Sequence, residues 1–175
     1  MRSLWAKIVD KILPIGESDT VVFEMNRQAV FEQLKIDEGV VYEVYNDHLG
    51  YPTFGVGHLI TKSDPEYGSP VGTPVSPERV AQAFETDLDV SLRECGVLYG
   101  HMWSCFPGEV KEILVNMMFN LGRPRLSKFK KMNGHLEHGD YKNAAVEGRD
   151  SRWYRQVGNR AERLMTRLEL SLIHI

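Results

Sequence analysis

Apolar residues recur along this chain with two periods, and the changes of period mark its elements. Trp5, Ile8, Val9 and Ile12 keep helical spacing until Pro14 and Gly16 close the segment. Thr20 to Phe23 is short and β-prone. Asn26 then caps a helix carrying Val30, Phe31 and Leu34, which expires at Gly39. Beyond it the period drops to two, with Tyr42, Val44 and Asn46 alternating against Val41, Tyr45 and Asp47. His48, Leu49 and Gly50 make a turn, and YPTFGVGH returns, with Pro52 confining that strand to an edge or an irregular start. From Thr61 to Ser76 the chain is rich in Pro, Gly, Ser and Asp and reads as loop with at most one small strand.

Helical spacing then dominates. Ser76 caps and Pro77 opens a helix predicted to reach about Cys95, its apolar side formed by Val80, Ala83, Phe84, Leu88, Leu92 and Cys95. After a loop containing Gly96, Gly100 and Pro107, residues 109–121 are so densely apolar that a central helix buried on most sides is expected, Met117 and Met118 packing within it. Asn116 and Asn120 interrupt it four residues apart, on one side. Lys128, Lys130 and Lys131 around Phe129 form a basic helical segment bounded by Asn133 and Gly134, read as a solvated face. A helix over about Leu136 to Val146 follows. The last one is capped by Asn159, with Ala161, Leu164, Met165 and Leu168 inward.

A chain of 175 residues suffices for one domain with a substantial core. A net charge of -3 argues against bulk attraction to nucleic acid. Cys95 and Cys105 make up neither a disulfide framework nor a metal knuckle, so no metal and no cofactor is implied. Lys7, Asp10 and Lys11 interrupt the apolar run a secretory signal needs, and no segment approaches the roughly 20 apolar residues of a membrane span. The expectation is a protein made in the cytoplasm without its own export signal and without stable membrane insertion.

Chemistry concentrates between Glu38 and His58. Glu38 stands one turn beyond Leu34, where partial desolvation favours the protonated form that an acid catalyst needs. In the returning strand Thr53, Gly55 and Gly57 share a face with no bulky side chain, so a ligand could approach the backbone there. Asp87, three residues after Phe84, falls near the core side of the long helix and needs a partner. His58 is the candidate, pinning the hairpin to that helix. Arg160, in the first turn of the last helix, opposes the helix dipole and invites a carboxylate, Glu38 being one option.

Taken together, LKIDEG at 34–39, YND at 45–47, GYPTFGVGH at 50–58, FETDLD at 84–89, VNMMFNLG at 115–122 and SRWYRQVGNRAER at 151–163 resemble the phage-type (T4-type) lysozyme family. The resemblance covers about residues 25–170. It implies an α+β, lysozyme-like fold: a small β-containing N-terminal lobe (about 38–77), a connecting helix (about 77–95), and a larger helical lobe (about 96–172, joined by the N-terminal helix). Residues 1–25 would be an extension to a domain spanning 26–175.

The same resemblance implies an endo-acting, inverting muramidase that cleaves the β-1,4 bond between N-acetylmuramic acid and N-acetylglucosamine in bacterial peptidoglycan. Glu38 would be the general acid, with Asp47 and Thr53 the other catalytic positions. Arg160 matches the arginine that orients the catalytic glutamate, Asn116 a structural polar residue beside it, and His58 and Asp87 a fold-stabilising pair. Gly55, Gly57, Asn120 and Trp153 would face substrate. The expected protein is a monomer acting on the cell wall after release or delivery, with residues 1–25 available as a contact to a particle or assembly. Two rivals remain open: a hydrolase of chitin-like glycans, and a catalytically silent wall-binding or assembly module. The chain departs from the family pattern in its N-terminal extension, in the short 61–76 stretch, and in Val157 and Gly158, which stand where a Thr-Pro pair is expected.

Overall fold

The computed structural model describes residues 24–171. The helix expected around Trp5 to Ile12 and the β-prone Thr20 to Phe23 lie outside the described residues. The first helix, α1 (Arg27–Glu38), starts where Asn26 accepts a hydrogen bond from the Ala29 amide at 3.0 Å and buries Val30 and Leu34. It leads into an antiparallel sheet of β1 (Val41–Asn46), β2 (Pro52–Gly55) and β3 (His58–Leu59), in the order β1-β2-β3. Then come the long α2 (Pro77–Tyr99), α3 (Met102–Cys105), α4 (Gly108–Leu121), α5 (Arg123–Leu126), α6 (Lys130–Glu137), α7 (Tyr141–Arg149), α8 (Arg152–Val157) and α9 (Asn159–Leu170). The fold is α+β, a small β-containing N-terminal region followed by a larger helical one, as in lysozymes.

Several boundaries differ from the periodicity. Helix α2 runs a turn past Cys95, because Tyr99 is still buried and only Gly100, at φ 57, stops it. The four-residue α3 is too short to show a period of 3.6. Asn133 and Gly134 do not bound the basic segment; they lie inside α6, and the break falls at Gly139 (φ 68), after which Asp140 caps α7. Asn159 is the first residue of α9 rather than its cap, a place taken by Gly158 at φ 59.

Strand β1 does not alternate cleanly. Only Val44 is buried, because its register against β2 shifts between Val41 and Tyr45. On its other side residues 72–75 run back along it: Gly72 donates to the Val44 carbonyl at 2.8 Å, Val44 to that of Thr73 at 2.9 Å, and Val75 to that of Tyr42 at 2.9 Å. Thr61 to Ser76 therefore contributes one short bridge, between Glu43 and Pro74.

The core is continuous through α2. Phe84 stacks between Phe31 of α1 and Phe119 of α4, with ring centroids 4.4 and 5.7 Å apart. Phe54 and Val56 of the sheet region are buried, as is Val80 of the same helix. At the far end Gly148 lets α7 approach α9 closely; a Cβ there would sit 2.1 Å from the Met165 sulfur. Both cysteines are free, Cys95 buried and Cys105 exposed, and burial pushes the Cys95 thiol up to about 12.

The hairpin is fastened to α2 by one imidazole. His58 Nδ1 lies 2.8 Å from Asp87 Oδ2 of α2, and its Nε2 lies 3.1 Å from Asp64 Oδ1 in the loop. Asp64 also accepts from the Thr61 amide and hydroxyl, each at 2.8 Å, and from Arg79 at 3.0 Å; Arg79 is in turn forked onto Glu66. Asp87 raises the pKa of the His58 ring against the pull of burial, and Asp64 assists. Burial would raise the Asp64 carboxyl, but Thr61 and His58 outweigh it and hold it at about 2.

The signs define a window. A raised His58 pKa stabilises fully below the unfolded value, about 6.5, and the gain fades as pH rises through the folded one. A depressed Asp64 pKa stabilises above about 4, and that gain is lost as pH falls toward 2. His58→Gln is therefore expected to cost more stability at pH 5 than at pH 9. Urea midpoints across that range check it, and a pH-independent cost would refute the clamp.

Candidate active site

Glu38 is the last residue of α1, where Gly39 at φ 78 turns the chain toward β1. Arg160, the second residue of α9, reaches across and donates from Nη1 to Glu38 Oε1 at 2.6 Å. The guanidinium is itself fixed: Nε donates to Asn116 Oδ1 at 3.0 Å and Nη2 to the Asn116 carbonyl at 3.3 Å. Arg160 and Asn116 are buried, whereas the Glu38 side chain keeps 27% of its surface exposed. A fixed cation thus holds the carboxylate from behind while leaving it open to solvent.

The anchor beneath this pair is Asp37, which the sequence reading did not single out. Its side chain is 3% exposed and accepts from Asn116 Nδ2 at 2.9 Å, from Gln33 Nε2 at 3.2 Å and from Arg163. The signal was present: Asp37 is three residues after Leu34, as close to the core side of α1 as Glu38, four after it.

Asp47 follows β1, where its backbone amide donates to the Tyr51 carbonyl at 2.9 Å. Its Oδ1 accepts from the amides of Leu49 at 2.8 Å and Tyr51 at 2.9 Å. The Tyr51 amide, with that of Leu49, holds the Asp47 carboxyl below its usual range, so it stays charged at neutral pH. Thr53 Oγ1 donates to the carbonyl of the same Tyr51 at 3.0 Å. Its proton is thereby committed, and what it offers a water molecule is a lone pair. Asp47 and Thr53 are tied to opposite ends of one peptide unit's residue.

Tyr45 of β1 feels the charge of both carboxylates. Its phenol is raised by burial and then by the negative charges of Asp47 and Glu38, so both lie within electrostatic reach of it. Tyr45 faces Thr53 across the ladder. Its odd-numbered alternation with Asp47 was visible in the sequence; its proximity to Glu38 was not.

The supporting positions divide. His58 and Asp87 are brought together as described. Gly55 does not share an open face with Thr53 and Gly57: φ turns to +64 there, ending the alternation, and a Cβ would meet Val80 of α2 at 3.1 Å. Gly55 is a packing contact. Gly57 is exposed, at the turn before β3. Asn120 and Trp153 are joined to each other, the indole N–H donating to Asn120 Oδ1 at 2.9 Å. Trp153 is 5% exposed and meets Phe129 edge-on, centroids 6.2 Å apart.

Among the described residues no group of His, Cys, Asp and Glu is placed to hold a metal ion, and no helix is long and apolar enough to cross a membrane. What the site offers is a solvent-open carboxyl on a fixed arginine and a second carboxylate kept charged by backbone amides. Two carboxyl groups, one able to give a proton and one kept charged, are what glycoside hydrolysis requires.

Residues 35–169 match the phage lysozyme family model, and the chain belongs to the phage lysozyme family of glycoside hydrolases. It is similar to the pre-baseplate central spike protein Gp5 of Enterobacteria phage T4, 33% identical over 150 residues, covering 76% of this chain but 26% of that protein. It is also similar to probable T4-type lysozyme 2 of Dictyostelium discoideum, 30% identical over 156 residues, covering 79% of this chain and 92% of the relative. The peptidoglycan hydrolase gp36 of Pseudomonas phage phiKMV is 29% identical over 147 residues, 82% of this chain and 16% of that protein. The chain therefore spans about a quarter or less of the two phage relatives and nearly all of the Dictyostelium one.

Proposed function

We propose that the protein hydrolyses the β-1,4 bond between N-acetylmuramic acid and N-acetylglucosamine in peptidoglycan, with inversion at the anomeric carbon. The observation that carries the reading is the Glu38–Arg160 contact at 2.6 Å, with Asp47 kept charged and both carboxylates acting on Tyr45. Glycosidic oxygen leaves poorly, so Glu38 donates its proton as the C–O bond breaks. Asp47 stabilises positive character on the sugar and, with the lone pair of Thr53, directs water to the opposite face and takes up its proton. Arg160 has no part in the proton transfer; it fixes where the Glu38 carboxyl stands.

The test is a digest of defined peptidoglycan, with reducing ends assigned by mass spectrometry and the new anomer read by NMR before mutarotation. A muramic reducing end in the inverted α configuration is expected. A β product would replace inversion with retention. Cleavage of chitin oligomers with peptidoglycan left intact would move the substrate to chitin-like glycans, and no cleavage of either would leave a silent wall-binding module.

The likeness to a spike protein favours a second element of the reading: delivery of the domain to the wall as part of a particle or larger assembly. Co-sedimentation of the chain with purified particles, as opposed to its recovery only in the lysate supernatant, distinguishes the two settings.

A further inference from the structure

A water molecule that attacks a sugar from one fixed direction makes four directed contacts, two through its protons and two through its lone pairs. Oδ1 of Asp47 already accepts from the Leu49 and Tyr51 amides, which leaves Oδ2 to take one proton of the water. Thr53 Oγ1 gives its own proton to the Tyr51 carbonyl, so toward water it acts as an acceptor of the other. One lone pair of the water goes to the anomeric carbon. The second needs a donor if the molecule is to keep a single orientation.

The residues behind Glu38 have their donors engaged. Arg160 directs its guanidinium at Glu38 and Asn116, and the Asn116 amide is directed at Asp37. Tyr45 is placed differently. It stands opposite Thr53 in the β1–β2 ladder, so the two side chains leave the same face of the sheet with Cβ atoms about 5 Å apart. Its ring is half-buried, and among the described residues nothing hydrogen-bonds to its hydroxyl. Burial first, then the charges of Asp47 and Glu38, hold that phenol in the neutral form. A hydroxyl that keeps its proton, within the field of both carboxylates and without an acceptor in the protein, is available to a molecule that enters the site.

Resting on the reading above, we propose that Tyr45 is a catalytic residue whose hydroxyl donates to the attacking water and, with Asp47 and Thr53, fixes its line of approach to the anomeric carbon. The free lone pair of the water forms the new C–O bond as the glycosidic C–O bond breaks. Glu38 gives its proton to the leaving oxygen, and Asp47 takes one from the water. Tyr45 keeps its own proton throughout. A donated hydrogen bond draws electron density away from the water oxygen, so the phenol contributes placement and not nucleophilicity.

Tyr45→Phe removes the oxygen and keeps the ring. Because the hydroxyl has no partner in the protein, Tm is expected to stay within about 2 °C of wild type. On peptidoglycan kcat should fall about 10- to 100-fold with KM within about twofold, the pattern of an interaction made in the transition state alone. The discriminating readout is the partition between water and methanol in mixed solvent. Methanol has one hydroxyl proton and cannot fill both acceptors, so the wild-type site favours water. In Tyr45→Phe the ratio of methyl glycoside to free reducing end should rise about threefold or more, whereas a general loss of structure slows both products equally. His48, exposed in the turn beside Asp47, is the other side-chain donor nearby, and His48→Ala should leave kcat and the ratio unchanged. A Tyr45→Phe enzyme within twofold of wild-type kcat, an unchanged partition, or a loss that follows His48 instead would overturn the proposal. Failure of the underlying reaction is seen separately, as a wild-type protein that cleaves no peptidoglycan or a Glu38→Gln variant that is fully active.

Discussion

Glu38→Gln is expected to lower kcat on peptidoglycan by about 10²- to 10⁴-fold, the usual worth of a positioned general acid. The replacement is nearly isosteric, and the amide oxygen can still accept from Arg160 Nη1, now 2.6 Å from the carboxylate. What is lost is the transferable proton. Turbidity clearing of purified walls gives the rate, and retained binding to the same walls with unchanged circular dichroism gives the control. A variant as active as wild type would remove Glu38 from the mechanism. Because Asp47 is held by backbone amides of its own turn, the loss should not be rescued there: an aspartate kept charged is a poor proton donor.

Asp37→Ala is expected to have the largest effect on stability, about 3 kcal/mol, with Tm lowered by roughly 10 °C. Asp37 is 3% exposed and serves Asn116, Gln33 and Arg163 together. Its removal leaves the buried Arg160 guanidinium, 3.7 Å from it, without its deeper carboxylate. The cost is that of stranding a buried charge, which exceeds the net worth of the pair. Calorimetric melting measures it. The same variant should lose activity beyond what unfolding explains, since Asn116 then no longer fixes Arg160. A drop below 1 kcal/mol would show that Arg163 and solvent fill the gap and that the network is not the anchor assigned to it.

Much of the fold was legible because the informative features were local. Asn26 and the Ser76–Pro77 pair announced two helices through capping chemistry, and the dipole argument at Arg160 pointed to a carboxylate that the structure supplies in Glu38. Features that depend on distant partners were not legible. Asp64 meets His58 only because the 61–76 stretch folds back, and nothing in its spacing distinguishes it from other loop acids. Gly55 looked like an open strand position because alternation was carried through a residue whose positive φ breaks it. Trp153 and Asn120 are 33 residues apart, so their mutual satisfaction had no sequence signature. Lys128, Lys130 and Lys131 read as a solvated face, whereas they line a cavity whose other wall is made by helices that come later in the chain.

The backbone run of 72–75 along β1 has a consequence for the protein in crowded solution. A three-stranded sheet ordinarily presents unpaired amides and carbonyls that can recruit a strand from another molecule. Here Tyr42 and Val44 spend those groups on Gly72, Thr73 and Val75, and the opposite border, β3, is only two residues long. Neither margin offers a template on which neighbouring copies could assemble into fibrils or aggregates.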